Sequence, residues 1–312
     1  MLRPVFYSHA SSRDHDTGGH PERIGRIVAI DQALAARDWL GFERVTSPAV
    51  QRDVLALVHG ESYITMIERS AAAGGGQLDA DTVLSEGSFT AALHAAGGAV
   101  EMVRRLLDEG AGAIGFSAHR PPGHHALRER AMGFSLFNNI AVAASYATHR
   151  LGLQRVMIVD WDVHHGNGTN DTFWESDQVL FVSIHEWPLY PGSGRPSETG
   201  SGAGHGYTVN LPVPAGTGDD EYLSLLQDTV LPLGRLYKPQ LLLVSAGFDA
   251  HHADPLAGCE VTEQGFAAMT AYVRALSSEL QIPLGLVLEG GYDLDALAGS
   301  TVATMETLAA DL

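Results

Sequence analysis

Short apolar runs, separated by longer stretches of helical periodicity, set the plan of this chain. Residues 5–7, 113–117, 156–160, 179–185, 207–211, 241–246 and 284–288 are short, aliphatic and bounded by glycine or polar positions, so they read as strands. Helical spacing of apolar residues is clearest over 21–37, 88–109, 138–151, 219–236 and 262–280. Pro21 near the start of the first suits an early helical position, where no backbone N–H is needed. Near-continuous apolar strands alternating with helices predict an α/β fold, with a parallel sheet covered on both faces. The 71–76 tract and the glycine-rich 192–206 segment read as loops, and no internal repeat or long linker interrupts the pattern. Residues 1–312 are therefore expected to form one domain.

Polar residues gather where these strands end. His119 to His125 follows the 113–117 run, and Asp160 to His165 closes the 156–160 run. His185 ends the next strand, Asp249 follows the 241–246 run, and Glu289 to Tyr292 follows the 284–288 run. The carboxyl ends of strands in open α/β sheets are where ligands bind. This pattern predicts that one sheet edge carries the chemistry.

Composition narrows the class of that chemistry. The formal charge is −18, and Lys238 is the only lysine among 19 basic residues, which argues against binding a nucleic-acid backbone. The acidic balance suits solubility, or attraction of basic partners such as lysine-rich peptides or polyamines. Cys259 is the only cysteine, so an intrachain disulfide and a cysteine-rich zinc cage are both excluded. The amino terminus lacks the pattern of a signal peptide, and no apolar stretch approaches the ~18 residues of a membrane helix. The expectation is a cytoplasmic protein with no membrane partner.

The richest segment is Asp160-Trp161-Asp162-Val163-His164-His165-Gly166-Asn167-Gly168. In an extended backbone Asp162 and His164 would point the same way, because side chains alternate with a period of two. A carboxylate and an imidazole on one side suit a borderline divalent ion such as zinc. Asp249 is the best third ligand, which leaves a coordination position for water and substrate. His124 and His125 follow a Pro-Pro-Gly sequence that imposes an irregular backbone and can hold two imidazoles in unlike orientations. They suit general acid–base work, and Asp160 and Asn167 are spare polar groups able to orient them. Tyr292, after two glycines, offers a hydroxyl to a carbonyl oxygen.

These motifs, with Met132-Gly133-Phe134-Ser135-Leu136-Phe137-Asn138-Asn139 and Asp254-Pro255-Leu256, resemble the zinc-dependent histone deacetylase family. The likeness is closer to its class II branch and bacterial deacetylase-like members, and it runs from His20 to the Tyr292 region. It implies a three-layer α/β/α arginase-like fold with a mostly parallel, about eight-stranded sheet, and a zinc-dependent deacetylase activity. On that resemblance, one Zn2+ is held by Asp162, His164 and Asp249. His125 is the general base and later acid, His124 its electrostatic partner, Asp160 orients His124 and Asn167 orients His125. Tyr292 polarises the carbonyl. A substrate tunnel is walled by Phe134 and Tyr190, with Gly133, Leu256 and Gly291 also placed along it; tyrosine at 190 stands where phenylalanine is more usual. The resemblance further implies structural K+ near Asp160, Asp162, His164 and Ser183, a second ion near Phe173 and Val179, and Arg23 beside an inner acetate channel. Substrates would be acyl-lysine peptides or proteins, or acylated small amines, and homo-oligomers occur in the family.

Three rivals share parts of this pattern. A binuclear manganese ureohydrolase needs bridging acids where this chain has Gly166 and His251. An acetylpolyamine deacetylase uses the same chemistry, although the gatekeeper glutamate of polyamine-selective relatives is replaced by Leu256. A non-catalytic acyl-lysine binding module would be expected to have lost at least one catalytic group, yet all are present.

Overall fold

The computed structural model describes residues 2–310. Ten strands occur among the described residues: β1 (Val5–Ser8), β2 (Glu43–Thr46), β3 (Gly76–Gln77), β4 (Val83–Leu84), β5 (Ile114–Ser117), β6 (Val156–Asp160), β7 (Val179–Glu186), β8 (Thr208–Val213), β9 (Leu241–Ala246) and β10 (Leu284–Leu288). The helices are α1 (Gly25–Ala35), α2 (Arg52–Leu55), α3 (Glu61–Ala72), α4 (Ser88–Glu109), α5 (Asn139–His149), α6 (Asn167–Thr172), α7 (Asp219–Leu225), α8 (Leu231–Tyr237), α9 (Glu263–Leu280) and α10 (Leu294–Ala309). Eight strands form one sheet in the order β2-β1-β5-β10-β9-β6-β7-β8, while β3 and β4 make a separate antiparallel pair. Every pairing in the large sheet is parallel. This is the expected three-layer α/β/α architecture.

Strand alternation divides the apolar interior into two cores. Leu241 and Leu243, with Val156 and Ile158, face α3, α4 and α5; Leu242 and Val244, with Met157 and Val159, face α1, α9 and α10. Burying each such side chain contributes about 1.5–3 kcal/mol. Gly115 on β5 pairs with Gly285 on β10, and a Cβ at either would press on Met102 of α4. These two bare positions let the long helix lie close against the middle of the sheet.

Strand order explains where the site falls. After β1 and β2 the chain crosses to β5, builds outward through β6, β7 and β8, then returns to fill the centre with β9 and β10. The carboxyl ends of β5, β10, β9 and β6 therefore adjoin, although their residues are far apart in sequence. Helices leave this edge with capped starts: Asn138 accepts from Ala141 N at 3.0 Å, and Asp293 from Ala296 N at 2.9 Å.

Three sequence expectations change. Pro21 lies ahead of α1 in a bend segment, so the first helix starts later than the periodicity suggested. The 219–236 pattern is two helices joined by a wider turn at Leu226–Val230, just before Pro232, which has no N–H for the regular ladder. Strand β2 and helices α3 and α10 were not anticipated. β2 is an edge strand of alternating exposure, and α10 buries Ser300, Thr301 and Thr304 among Leu297, Val302, Met305 and Leu308, which interrupts its apolar pattern.

Candidate active site

The Asp-x-Asp-x-His spacing works through turns, because β6 stops at Asp160 and the next residues bend. Asp160 Oδ1 accepts from Asp162 N at 3.1 Å, and Asp162 Oδ1 accepts from His164 N at 2.9 Å. Each aspartate side chain thus caps the backbone two residues on, and the repeat folds Asp162 and His164 to one side. The expectation of a shared side holds, but its cause is this pair of side-chain turns, not an extended strand.

His164 Nδ1 lies 3.2 Å from Asp162 Oδ1 and 3.1 Å from Asp249 Oδ2. The three ligand atoms lie within 4.8 Å of one another, and both carboxylates are fully buried. Their remaining oxygens are held by backbone: Asp162 Oδ2 accepts from Gly290 N at 2.8 Å, and Asp249 Oδ1 from Val163 N at 2.9 Å. One nitrogen and two carboxylates fit a divalent catalytic metal with an open position. Charge supports the fit, since Asp160, Asp162, Asp249 and Glu289 are all buried here and a dication offsets repulsion that two imidazoles alone leave.

The histidine pair sits beside the triad. His124 Nδ1 is 3.0 Å from Asp160 Oδ2, and His125 Nδ1 is 2.7 Å from Asn167 Oδ1. Burial opposes charge on His124, but Asp162 and Asp160 outweigh it and hold its pKa well above the ordinary imidazole value. Burial, with His124 and His164 adding to it, pushes His125 well below that value. The two rings therefore differ in character as they differ in partner. Their backbone is fixed by Glu289, whose Oε2 accepts from Gly123 N at 2.7 Å and His124 N at 3.1 Å. Sequence reasoning placed Glu289 at the right edge but gave it no task.

A pocket of about 190 Å³ opens over this centre, lined by Asp81, His125, Gly133, Phe134, His164, Leu189, Tyr190, Leu256 and Tyr292. Phe134 meets Tyr292 edge-on at 5.5 Å, and Tyr190 meets His125 edge-on at 5.2 Å, so both aromatic rings line the pocket. Asp81 and Leu189 were missed; Asp81 lies beside the small β3–β4 pair, which carries too few residues for a sequence pattern. Gly291 is a correction. It does not line the pocket; its carbonyl turns inward to accept from Arg26 Nε at 2.6 Å.

Arg23 is also corrected. Its side chain is exposed, whereas Arg26, three residues on and inside α1, is fully buried. Arg26 donates to the carbonyls of Glu289 and Gly291, pairs with Glu22, and lies 5.1 Å from the Tyr292 ring centre. The later start of α1 turns Arg23 outward and Arg26 toward the sheet. Of the residues tied to potassium, Asp160 and Ser183 stand opposite each other in the β6–β7 register, and Phe173 and Val179 are buried where α6 leads into β7. Gly166 leaves no room for a bridging acid, because a Cβ there would overlap Asp160 Oδ2. His251 is directed to Glu263, at 3.4 Å, and away from the triad.

An eight-stranded parallel sheet with a buried Asp-His-Asp centre and a histidine pair at its switch point defines a metallohydrolase-like class. Residues 20–308 match the histone deacetylase domain model. The chain belongs to the histone deacetylase family. It is 40% identical to a probable deacetylase of Methanothermobacter thermautotrophicus over 96% of this chain and 89% of that protein. It is 38% identical to the chloroplastic histone deacetylase 10 of Oryza sativa subsp. japonica, over 96% of this chain and 72% of that protein. The crystal structure of the HDA15 HD domain superposes with a TM-score of 0.92 at 34% identity, covering 98% of this chain and 88% of that one. Family membership supports a hydrolase of the deacetylase type.

Proposed function

We propose that this chain is a zinc-dependent deacylase that cleaves acetyl or other acyl groups from lysine side chains or similar linear acyl amides. The observation that carries this reading is the placement of His125, His164 and Tyr292 around one narrow pocket above the Asp-His-Asp triad. Asp162, His164 and Asp249 hold the ion. When bound there, zinc supplies Lewis acidity that polarises the amide carbonyl and acidifies water.

The chain's own groups do the rest. Phe134 and Tyr190 flank a linear acyl-amine arm and keep bulk water away from its amide. His125 is kept neutral by burial and by the neighbouring His124 and His164, and its Nδ1 is engaged by the Asn167 amide oxygen, so its Nε2 accepts the proton of the attacking water. The imidazolium so formed returns that proton to the leaving amine nitrogen. His124, held by Asp160, keeps positive charge beside the reacting centre, and the Tyr292 hydroxyl donates to the carbonyl oxygen as negative charge builds on it. Free amine and carboxylate leave. We further place structural potassium beside the Asp160–Ser183 pair, where two buried oxygen-bearing side chains share one register position.

An acylpolyamine substrate is the second reading, favoured by acid at the mouth. Asp81 lines the pocket, and its pKa is raised by burial and by the adjacent Asp79, an environment that attracts a cation. Turnover of an acetyl-lysine peptide against acetylputrescine, with defined metal content, separates the two. Preference for the peptide supports the main reading; turnover of acetylputrescine alone assigns the second, and turnover of neither removes both.

A further inference from the structure

His165 is the most conspicuous residue of the metal loop that metal binding leaves unused. It is buried, and its ring points away from the triad, so that Nδ1 lies 2.8 Å from Ser193 Oγ. Ser193 belongs to the loop that carries Tyr190. That loop begins where Glu186 N donates to Val163 O at 2.8 Å, and it reaches His165 again at Ser193. Both ends of the Tyr190 segment are therefore tied to the two chain neighbours of the metal ligand His164.

The surroundings are shaped for this closure. His185, 4.8 Å from the His165 ring centre, donates from Nε2 to Gly194 O at 2.9 Å and faces Ser183 Oγ through Nδ1. Gly194 has φ +92°, and a Cβ there would come 2.7 Å from His165 Cγ and overlap the His185 ring. Only glycine lets the loop backbone seat against both imidazoles. Farther along, Asn210 Nδ2 donates to Glu198 O at 2.9 Å and Glu198 Oε2 accepts from Gly194 N at 2.8 Å, fastening the loop to β8. A histidine present only for packing needs neither the Ser193 bond nor the facing glycine.

We propose that His165 is a positioning residue that, through Ser193, holds the Tyr190 wall of the tunnel in register with the metal ligand His164. It thereby sets the width of the tunnel for the acyl-amine arm. The inference rests on the deacylase reading for its kinetic consequence, but the clamp itself is visible without turnover.

Ser193 is half-buried at the surface, so Ser193→Ala tests the clamp without disturbing a core imidazole. Backbone hydrogen exchange over residues 187–195 of the full chain should rise about tenfold in Ser193→Ala and return toward wild type in Ser193→Thr, which keeps the hydroxyl. With an acetyl-lysine peptide, KM should rise about threefold to tenfold while kcat stays within about twofold and metal content is unchanged. His165→Asn, which keeps a polar atom near the Nδ1 position, should fall between Ser193→Ala and wild type in both readouts. Unchanged exchange in Ser193→Ala would overturn the proposal, as would loss of kcat at constant KM. An inactive wild type with raised exchange in Ser193→Ala would sink the deacylase reading and leave the clamp standing.

Discussion

The Nδ1 of His125 faces the amide oxygen of Asn167 at 2.7 Å. The orientation of that amide is set by its nitrogen, which lies 3.4 Å from both His125 O and Met132 Sδ. An amide oxygen only accepts, so Nδ1 carries the hydrogen and Nε2 keeps its lone pair toward the pocket. His124, paired with the Asp160 carboxylate, is biased the other way, toward the charged form. Asn167→Ala should lower kcat/KM about 10- to 100-fold, the usual cost of removing a partner that orients an active imidazole. Metal content should not change. An unaltered rate would show that packing alone sets the His125 tautomer.

Tyr292 is held for a single task. Its N–H donates to Asp254 Oδ2 at 2.7 Å, Arg26 grips the carbonyl before it, and Asp293 immediately after it caps α10. Tyr292→Phe keeps every one of these backbone contacts. It should bind metal as wild type does and lose on the order of 10²–10³ in kcat, as when an oxyanion donor is removed. Near wild-type kcat would remove Tyr292 from the chemistry.

Gly290 sits where the triad admits no side chain. Its N–H donates to Asp162 Oδ2 at 2.8 Å, and a Cβ would come 2.7 Å from that oxygen and overlap Asp249 Oδ2. Gly290→Ala should weaken metal binding at least about tenfold in competition with a chelator, by displacing two ligands at once. Gly19→Ala, where a Cβ meets nothing within 4 Å, serves as the matched control. Equal affinities would mean that the ligands tolerate movement the geometry does not suggest.

Legibility followed the length and regularity of the signal. The central strands and the residues at their ends were readable because buried parallel strands are nearly pure aliphatic runs, and because Asp160, Asp162, His164 and Asn167 lie in one continuous segment. β2 was not, since an edge strand of sequence Glu-Arg-Val-Thr carries only one strongly apolar residue. α10 was hidden by buried serine and threonine, among them Thr304, whose hydroxyl lies 3.4 Å from that of Thr270 across the α9–α10 contact. Arg23 and Arg26 differ by less than one helical turn, so only the true helix start decides which faces inward. Asp81 reaches the pocket from a segment too short for periodicity to show.

Acid should loosen the frame that holds the site. His59 donates from Nδ1 to Leu127 O at 3.1 Å and accepts at Nε2 from Asn138 N at 2.8 Å, so its neutral form is fully used. Burial pushes its pKa down to about 4. The unfolded chain takes up this proton near pH 6.5, so the contribution to stability is complete above that value and is lost as pH falls toward 4. Denaturation of wild type and His59→Asn at pH 6.5 and 4.5 should show a fall about 2 kcal/mol smaller in the variant. Equal falls would place the acid sensitivity elsewhere.

The central claim is that one divalent ion in the Asp162–His164–Asp249 site drives acyl-lysine hydrolysis. The direct measurement is acetate release from an acetyl-lysine peptide as metal-stripped protein is titrated with zinc. Activity should rise linearly and plateau at one zinc per chain, with Asp249→Asn neither binding tightly nor gaining activity. A plateau at two ions per chain, or no acetate release from fully loaded protein, would contradict the account.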